Sequence, residues 1–119
     1  MAYLFFGYSK CSTCQKAEKW LESKGVSFER RDIKLNPPTK EELRSWMEKT
    51  ELPLLRFFNT SGILYREMNL KEKVKIMTTE ELLDCLASDG MLVKRPVLVS
   101  DRHVLFGFKE EEWKKELMS

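Results

Sequence analysis

Apolar and polar positions along this chain follow two rhythms, and the change between them marks its elements. Residues 3–8 form a short aromatic-rich apolar run. Its length predicts a buried strand rather than a helix. Ser12-Thr13-Cys14-Gln15 has the form of a capping box, so a helix is expected to begin there, carry Ala17 and Leu21 on one face and stop at Gly25. Residues 26–33 predict a second strand, and Pro37-Pro38 ends the connection after it. A further capping box, Thr39-Lys40-Glu41-Glu42, opens a helix bearing Leu43, Trp46 and Met47. Strand, helix, strand, helix is the usual start of a parallel sheet.

Residues 52–77 have mixed patterning around the turn Asn59-Thr60-Ser61-Gly62 and predict short helices. Thr78-Thr79-Glu80-Glu81 caps another helix, with Leu82, Leu83 and Leu86 inward and an end near Ser88-Asp89-Gly90. The period then becomes two. Residues 96–99 and 103–108, separated by Ser100-Asp101-Arg102, predict an antiparallel hairpin, and 110–117 a closing helix with Trp113 inward. No repeat or linker interrupts the pattern, so one domain over residues 1–119 is expected.

Composition narrows the function. Lys plus Arg number 21 and Asp plus Glu 19, a net charge of +2 that provides no broad positive field for a phosphate backbone. Direct nucleic-acid binding is not expected. No run approaches membrane-spanning length, and the apolar opening at residues 1–6 is too short for a signal-peptide core. Three cysteines without a spaced disulfide framework favour a reducing compartment, the cytoplasm, and a catalytic or metal role.

The chemistry concentrates at Cys11-Ser12-Thr13-Cys14, which follows a predicted strand and opens a predicted helix. Two thiols at this spacing meet over one helical turn. A thiol at a helix N-terminus faces unpaired N–H groups and the positive end of the helix dipole, and Lys10 beside it adds charge of the same sign. Cys11 is thus the expected nucleophile. Cys14, on the side of Ala17 and Leu21, is the expected resolving thiol. Half of a zinc site and a pair of inert core thiols compete with this reading. Only Cys85 and His103 remain as further soft ligands, far away in the sequence, and neither a metal nor a cofactor is expected. Cys85 falls on the apolar side of its helix and reads as a core residue.

The strand–CxxC–helix start, the Pro37-Pro38 pair and Lys94-Arg95-Pro96-Val97 before a hairpin together resemble the arsenate reductase/Spx family over almost the whole chain. Phe57-Phe58-Asn59-Thr60-Ser61-Gly62 and Leu86-Ala87-Ser88-Asp89-Gly90-Met91-Leu92 resemble its bacterial arsenate-reductase-like branch most. The resemblance implies an α/β thioredoxin-like fold: a small mixed sheet with flanking helices and a helical insertion before the C-terminal hairpin. It also implies a cis proline at Pro96 beside the reactive cysteine, with Arg95 as a substrate-binding residue. A guanidinium there suits an oxyanion or a thiolate, the competing reading being an exposed surface arginine.

Departures from the family pattern qualify the function. Oxyanion-reducing members of the enterobacterial type surround the thiol with three arginines, and two of those positions pair with Asn59 and Gly107 here. Those enzymes take their second thiol from glutaredoxin, whereas this chain carries both cysteines. Arsenate reduction is therefore weakened as an expectation. The Spx regulators keep the CxxC and use a glycine surface to grip RNA polymerase, and that position pairs with Pro53. Proline restricts the backbone and lacks an N–H, so polymerase binding is not carried over. Their basic tail is not expected here either, since the sequence closes on Glu116-Leu117-Met118-Ser119. A thiol–disulfide oxidoreductase served by a thioredoxin- or glutaredoxin-type dithiol is the leading expectation. A redox-sensing regulator of a protein partner is the alternative, and a structural adaptor would leave Cys11 with a thiol pKa near ~8.5.

Overall fold

The structure, a computed structural model, describes residues 3–118; Met1, Ala2 and Ser119, which belong to the expectations about the opening and the tail, lie outside the described residues. In chain order the elements are β1 (Tyr3–Gly7), α1 (Ser12–Ser23), β2 (Phe28–Asp32), α2 (Lys40–Lys49), α3 (Ile63–Glu67), α4 (Leu70–Lys73), α5 (Thr79–Ser88), β3 (Val97–Val99), β4 (Val104–Phe106) and α6 (Glu110–Met118). Single 3-10 turns occupy Leu54–Phe57, Val74–Ile76 and Gly90–Leu92. The chain divides into two compact units: one runs up to Asp32 and resumes at Arg95, and the other is Ile33–Lys94.

The first unit is built on a four-stranded sheet in the order β2-β1-β3-β4. β1 runs parallel to β2, with Phe5 opposite Arg30, and antiparallel to β3, with Phe5 opposite Leu98. β3 and β4 form the expected hairpin, closed where the Ser100 N–H donates to the His103 carbonyl at 2.9 Å. This is the mixed sheet of the thioredoxin-like fold. Phe5 and Phe6 lie on successive positions of the central strand and are both buried, because strand side chains alternate between faces.

The side chains of α1 and α6 join Phe5, Leu98 and Leu105 in one apolar cluster. Cys14, Ala17, Trp20 and Leu21 repeat at helical spacing along α1, and Trp113 joins them from α6. The Trp113 ring meets Phe108 at 5.0 Å and Trp20 at 6.3 Å, both edge-on, and its Nε1–H donates to the Gly107 carbonyl at 3.0 Å. α1 ends as its sequence predicts. Gly25 takes φ +70, its N–H donates to the Glu22 carbonyl and the Val26 N–H to that of Leu21, a paired closure that favours glycine.

The second unit is helical. Thr39–Glu42 and Thr78–Glu81 form the two capping boxes that the sequence predicts, starting α2 and α5. These helices are tied by Arg44, which donates to both carboxylate oxygens of Glu80 at 2.8 and 2.9 Å, and by Lys40, 2.7 Å from Asp84. Between them the chain makes short helical turns, as the mixed patterning implies, with Asn69 in the left-handed region at φ 53. Phe58 and Val93 pair as an isolated bridge, and the Lys94 N–H donates to the Phe57 carbonyl at 2.8 Å. Cys85 is partly exposed on α5, so the expectation of a core cysteine needs correcting: it sits at the edge of the helix's apolar face, beside buried Leu82 and Leu86. No helix among the described residues is long and apolar enough to cross a membrane.

Candidate functional site

Beyond β1 the chain turns through Tyr8, Ser9 and Lys10, and the Cys11 N–H donates to the Tyr8 carbonyl at 3.0 Å. Cys11 then caps α1. Its backbone is extended, at φ −103 and ψ 114, and its Sγ accepts the Cys14 N–H at 3.4 Å. Ser, Thr, Asp and Asn oxygens usually occupy this position. The cap therefore lies one residue earlier than the Ser12 capping box implies, because the thiol takes it and Gln15 turns its side chain back to the Ser9 carbonyl, at 2.8 Å. The first turn of α1 holds no acidic residue, which leaves the positive helix end uncompensated beside the sulfur.

The two thiols are pushed apart. Burial, the largest single influence on Cys11, raises its pKa, but the Cys14 thiol and N–H, the charge of Arg95 and the Thr13 backbone together outweigh it and hold Cys11 below an ordinary thiol. Cys14, buried against the apolar cluster, moves the other way. Desolvation leads, and its hydrogen bond to Cys11 and the proximity of that sulfur's charge add to it. The arrangement favours a thiolate at Cys11 with a protonated thiol one turn behind it, both free of any disulfide. The positive charge acting here is that of Arg95; Lys10, offered by its place in the sequence, stands exposed on the preceding turn.

Arg95 opens the chain's return to the first unit. The Arg95–Pro96 peptide is cis, Pro96 is buried, and its carbonyl accepts the Gly107 N–H at 2.8 Å. The guanidinium carbon lies over the Tyr8 ring, 5.4 Å from its centroid, while Nε and Nη1 are buried without a hydrogen-bond acceptor among the described residues. Cys11, Cys14, Arg95 and Pro96 thus all belong to the first unit, and the charge of Arg95 reaches both sulfurs. Gly107 has φ +71, a conformation that an arginine would adopt only under strain. Asn59 lies in the second unit, where its N–H donates to the Leu92 carbonyl, and Cys85 is raised by burial on α5. His103 is 3.3 Å from Glu116.

Tyr8 escapes the sequence reading, which treats it only as the end of an apolar strand. The signal available was its position three residues before Cys11, where the chain must turn from strand to helix. A cavity of about 170 Å³ borders Cys14 and is lined further by Tyr8, Gln15, Arg31 and Asp32.

A mixed four-stranded sheet with a cysteine pair at the mouth of its first helix and a cis proline after an arginine defines a thioredoxin-like thiol protein. The chain belongs to the ArsC family, whose model matches residues 6–116. It is 50% identical over 115 residues to YusI of Bacillus subtilis, covering 97% of this chain and 98% of that one. The crystal structure of a possible arsenate reductase from Streptococcus mutans shares 40% identity and a TM-score of 0.86, over 94% of this chain and 97% of that one. The global transcriptional regulator Spx 1 of Lactococcus lactis is 31% identical over 102 residues, 86% of this chain and 78% of the regulator. The relatives thus include both arsenate-reductase-like and Spx-like proteins.

Proposed function

We propose that the protein is a cytoplasmic thiol–disulfide oxidoreductase in which Cys11 attacks and Cys14 resolves. The observation that carries this reading is the opposed tuning of the two thiols, with the Cys11 sulfur capping α1 under the charge of Arg95 and Cys14 buried behind it. The Cys11 thiolate attacks one sulfur of a substrate disulfide, forming a mixed disulfide and releasing the other sulfur as a thiolate that takes up a proton. Cys14 then attacks the Cys11 sulfur, losing its own proton to the departing thiolate. Two electrons pass to the substrate and the protein is left with a Cys11–Cys14 disulfide. A cellular dithiol of the thioredoxin or glutaredoxin type returns it to the reduced form by the same exchange in reverse.

Cys14→Ser tests this cycle. That variant should accumulate a mixed disulfide on Cys11 with its substrate, and Cys11→Ser should accumulate none, by non-reducing mass spectrometry. Mild oxidation of the native chain should yield a Cys11–Cys14 peptide pair; recovery of Cys85 in the pair instead would overturn the assignment. A redox switch acting on a protein partner is the second reading, favoured by the similarity to Spx 1. Pro53, exposed and extended at φ −66 before the turn Leu54–Phe57, counts against RNA polymerase as that partner on the glycine surface of the Spx type.

A further inference from the structure

Cys11, Cys14 and Arg95 all meet one residue outside the cysteine motif, Tyr8. The Tyr8 carbonyl holds the Cys11 N–H, its backbone hydrogen-bonds to Cys14, and its ring lies beneath the Arg95 guanidinium. The ring is fixed in turn by packing against the cluster that contains Phe5, Ala17 and Trp113. Arginine has many rotamers, and ordering it requires compensation. Two of the three guanidinium nitrogens of Arg95 have no acceptor among the described residues, so the aromatic face contributes to holding this cation.

We propose that Tyr8 is a positioning residue whose ring face seats the Arg95 guanidinium so that its charge is directed at the Cys11 sulfur. A carboxylate in that place would hold the arginine equally well but cancel its charge. An aromatic quadrupole attracts the cation and leaves the full positive charge to act on a thiolate or an incoming anion. The inference rests on the reading of Cys11 as the attacking thiol and adds what keeps its counter-charge in place.

The test follows iodoacetamide alkylation of Cys11 against pH, by peptide mass spectrometry on the full chain. The variants are Tyr8→Leu, Tyr8→Phe, Arg95→Ala and Tyr8→Leu combined with Arg95→Ala. Tyr8→Leu should reduce the Cys11 thiolate population at neutral pH in the same direction as Arg95→Ala and by no more than that variant does, since its effect passes entirely through the Arg95 charge. Tyr8→Phe should restore the native curve, and Tyr8→Leu should change nothing further once Arg95 is alanine. A native curve for Tyr8→Leu, or an equal loss in the Arg95→Ala background, would overturn the role of Tyr8 and leave the Cys11 reading standing. A native curve for Arg95→Ala would overturn both the inference and the assignment of Arg95 as the counter-charge. Should Tyr8→Leu not fold, pentafluorophenylalanine in place of Tyr8 keeps the shape and inverts the quadrupole; the same loss is then expected, and a native curve is again fatal.

Discussion

The Cys14 N–H points at the Cys11 sulfur from 3.4 Å, so the group that caps α1 is also its most acidic thiol. Ionising that sulfur improves the cap, since a charged acceptor holds an N–H more strongly than a neutral one. Cys11 should therefore be alkylated at neutral pH well before Cys14, with a rate–pH midpoint below that of an ordinary thiol, and Cys14 should resist until the solution is strongly alkaline. Site-resolved alkylation from pH 5 to 10 checks this, at conditions spanning the usual thiol range. Faster modification of Cys14 would reverse the two roles.

The same opposition gives the reduced protein a pH-dependent stability whose sign differs between the thiols. Cys11 has a lowered pKa in the folded chain, so the unfolded chain binds more protons between the folded and unfolded values, and the stabilisation grows as pH rises and is lost as pH falls through the folded value. Cys14 has a raised pKa, so its contribution is complete below the unfolded value and is lost as pH rises from there through the folded one. Denaturant midpoints under reducing conditions should show the native chain gaining on Cys11→Ser as pH rises towards ~8.5, and losing ground to Cys14→Ser above it. Parallel curves for the native chain and both variants would contradict the opposed tuning.

Much of the first unit was legible because its signals are local. The aromatic strand, the apolar side of α1, the glycine that ends it and the period-two hairpin each follow from side chains close together in the sequence. The helix begins at Ser12 as expected, but its cap is the Cys11 sulfur rather than the Ser12 hydroxyl: Ser12-Thr13-Cys14-Gln15 satisfies the capping-box pattern, while a cysteine sulfur is rarely counted among capping groups. The charge beside Cys11 was assigned to Lys10 by adjacency. Arg95 was placed there only through family resemblance, since 84 positions separate it from Cys11 along the chain. Tyr8 was invisible for a related reason: an aromatic residue closing a strand looks like core, and only the return of the chain at Arg95 gives its ring a cation to hold.

Gly90 is the more closely packed of the two glycines in the second unit, Gly62 and Gly90. A Cβ built there would lie 1.7 Å from the Ile33 carbonyl oxygen, a backbone atom that cannot swing aside as a side chain can. Gly90→Ala should destabilise the protein by about 3 kcal/mol or more, at or beyond the upper range for an overpacked site. Gly25→Ala offers a contrast, because nothing lies within 4 Å of its added Cβ and only the positive φ is unfavourable. Its cost should be smaller, about 1 kcal/mol. Chemical denaturation of the two variants side by side checks the order, and a Gly90→Ala protein as stable as Gly25→Ala would show that the contact with Ile33 relaxes freely.

Arsenate turnover should be weak or absent. A multiply charged oxyanion needs several donors arranged around the sulfur that attacks it, and the groups seen to act on Cys11 are the N-terminus of α1 and the guanidinium of Arg95. Gly107 has φ +71, so its backbone disfavours an arginine there. An assay coupled in parallel to thioredoxin and glutaredoxin systems is the right measurement, since the proposed Cys11–Cys14 disulfide is a substrate for either kind of dithiol reductant. Sustained turnover with either would overturn the expectation. If turnover appeared, Arg95→Ala should lower kcat/KM by about tenfold or more, in line with losing one charge-assisted donor and part of the thiolate together. An unchanged rate in that variant would mean that the guanidinium over Tyr8 does not act on the reaction, and would remove Arg95 from the site.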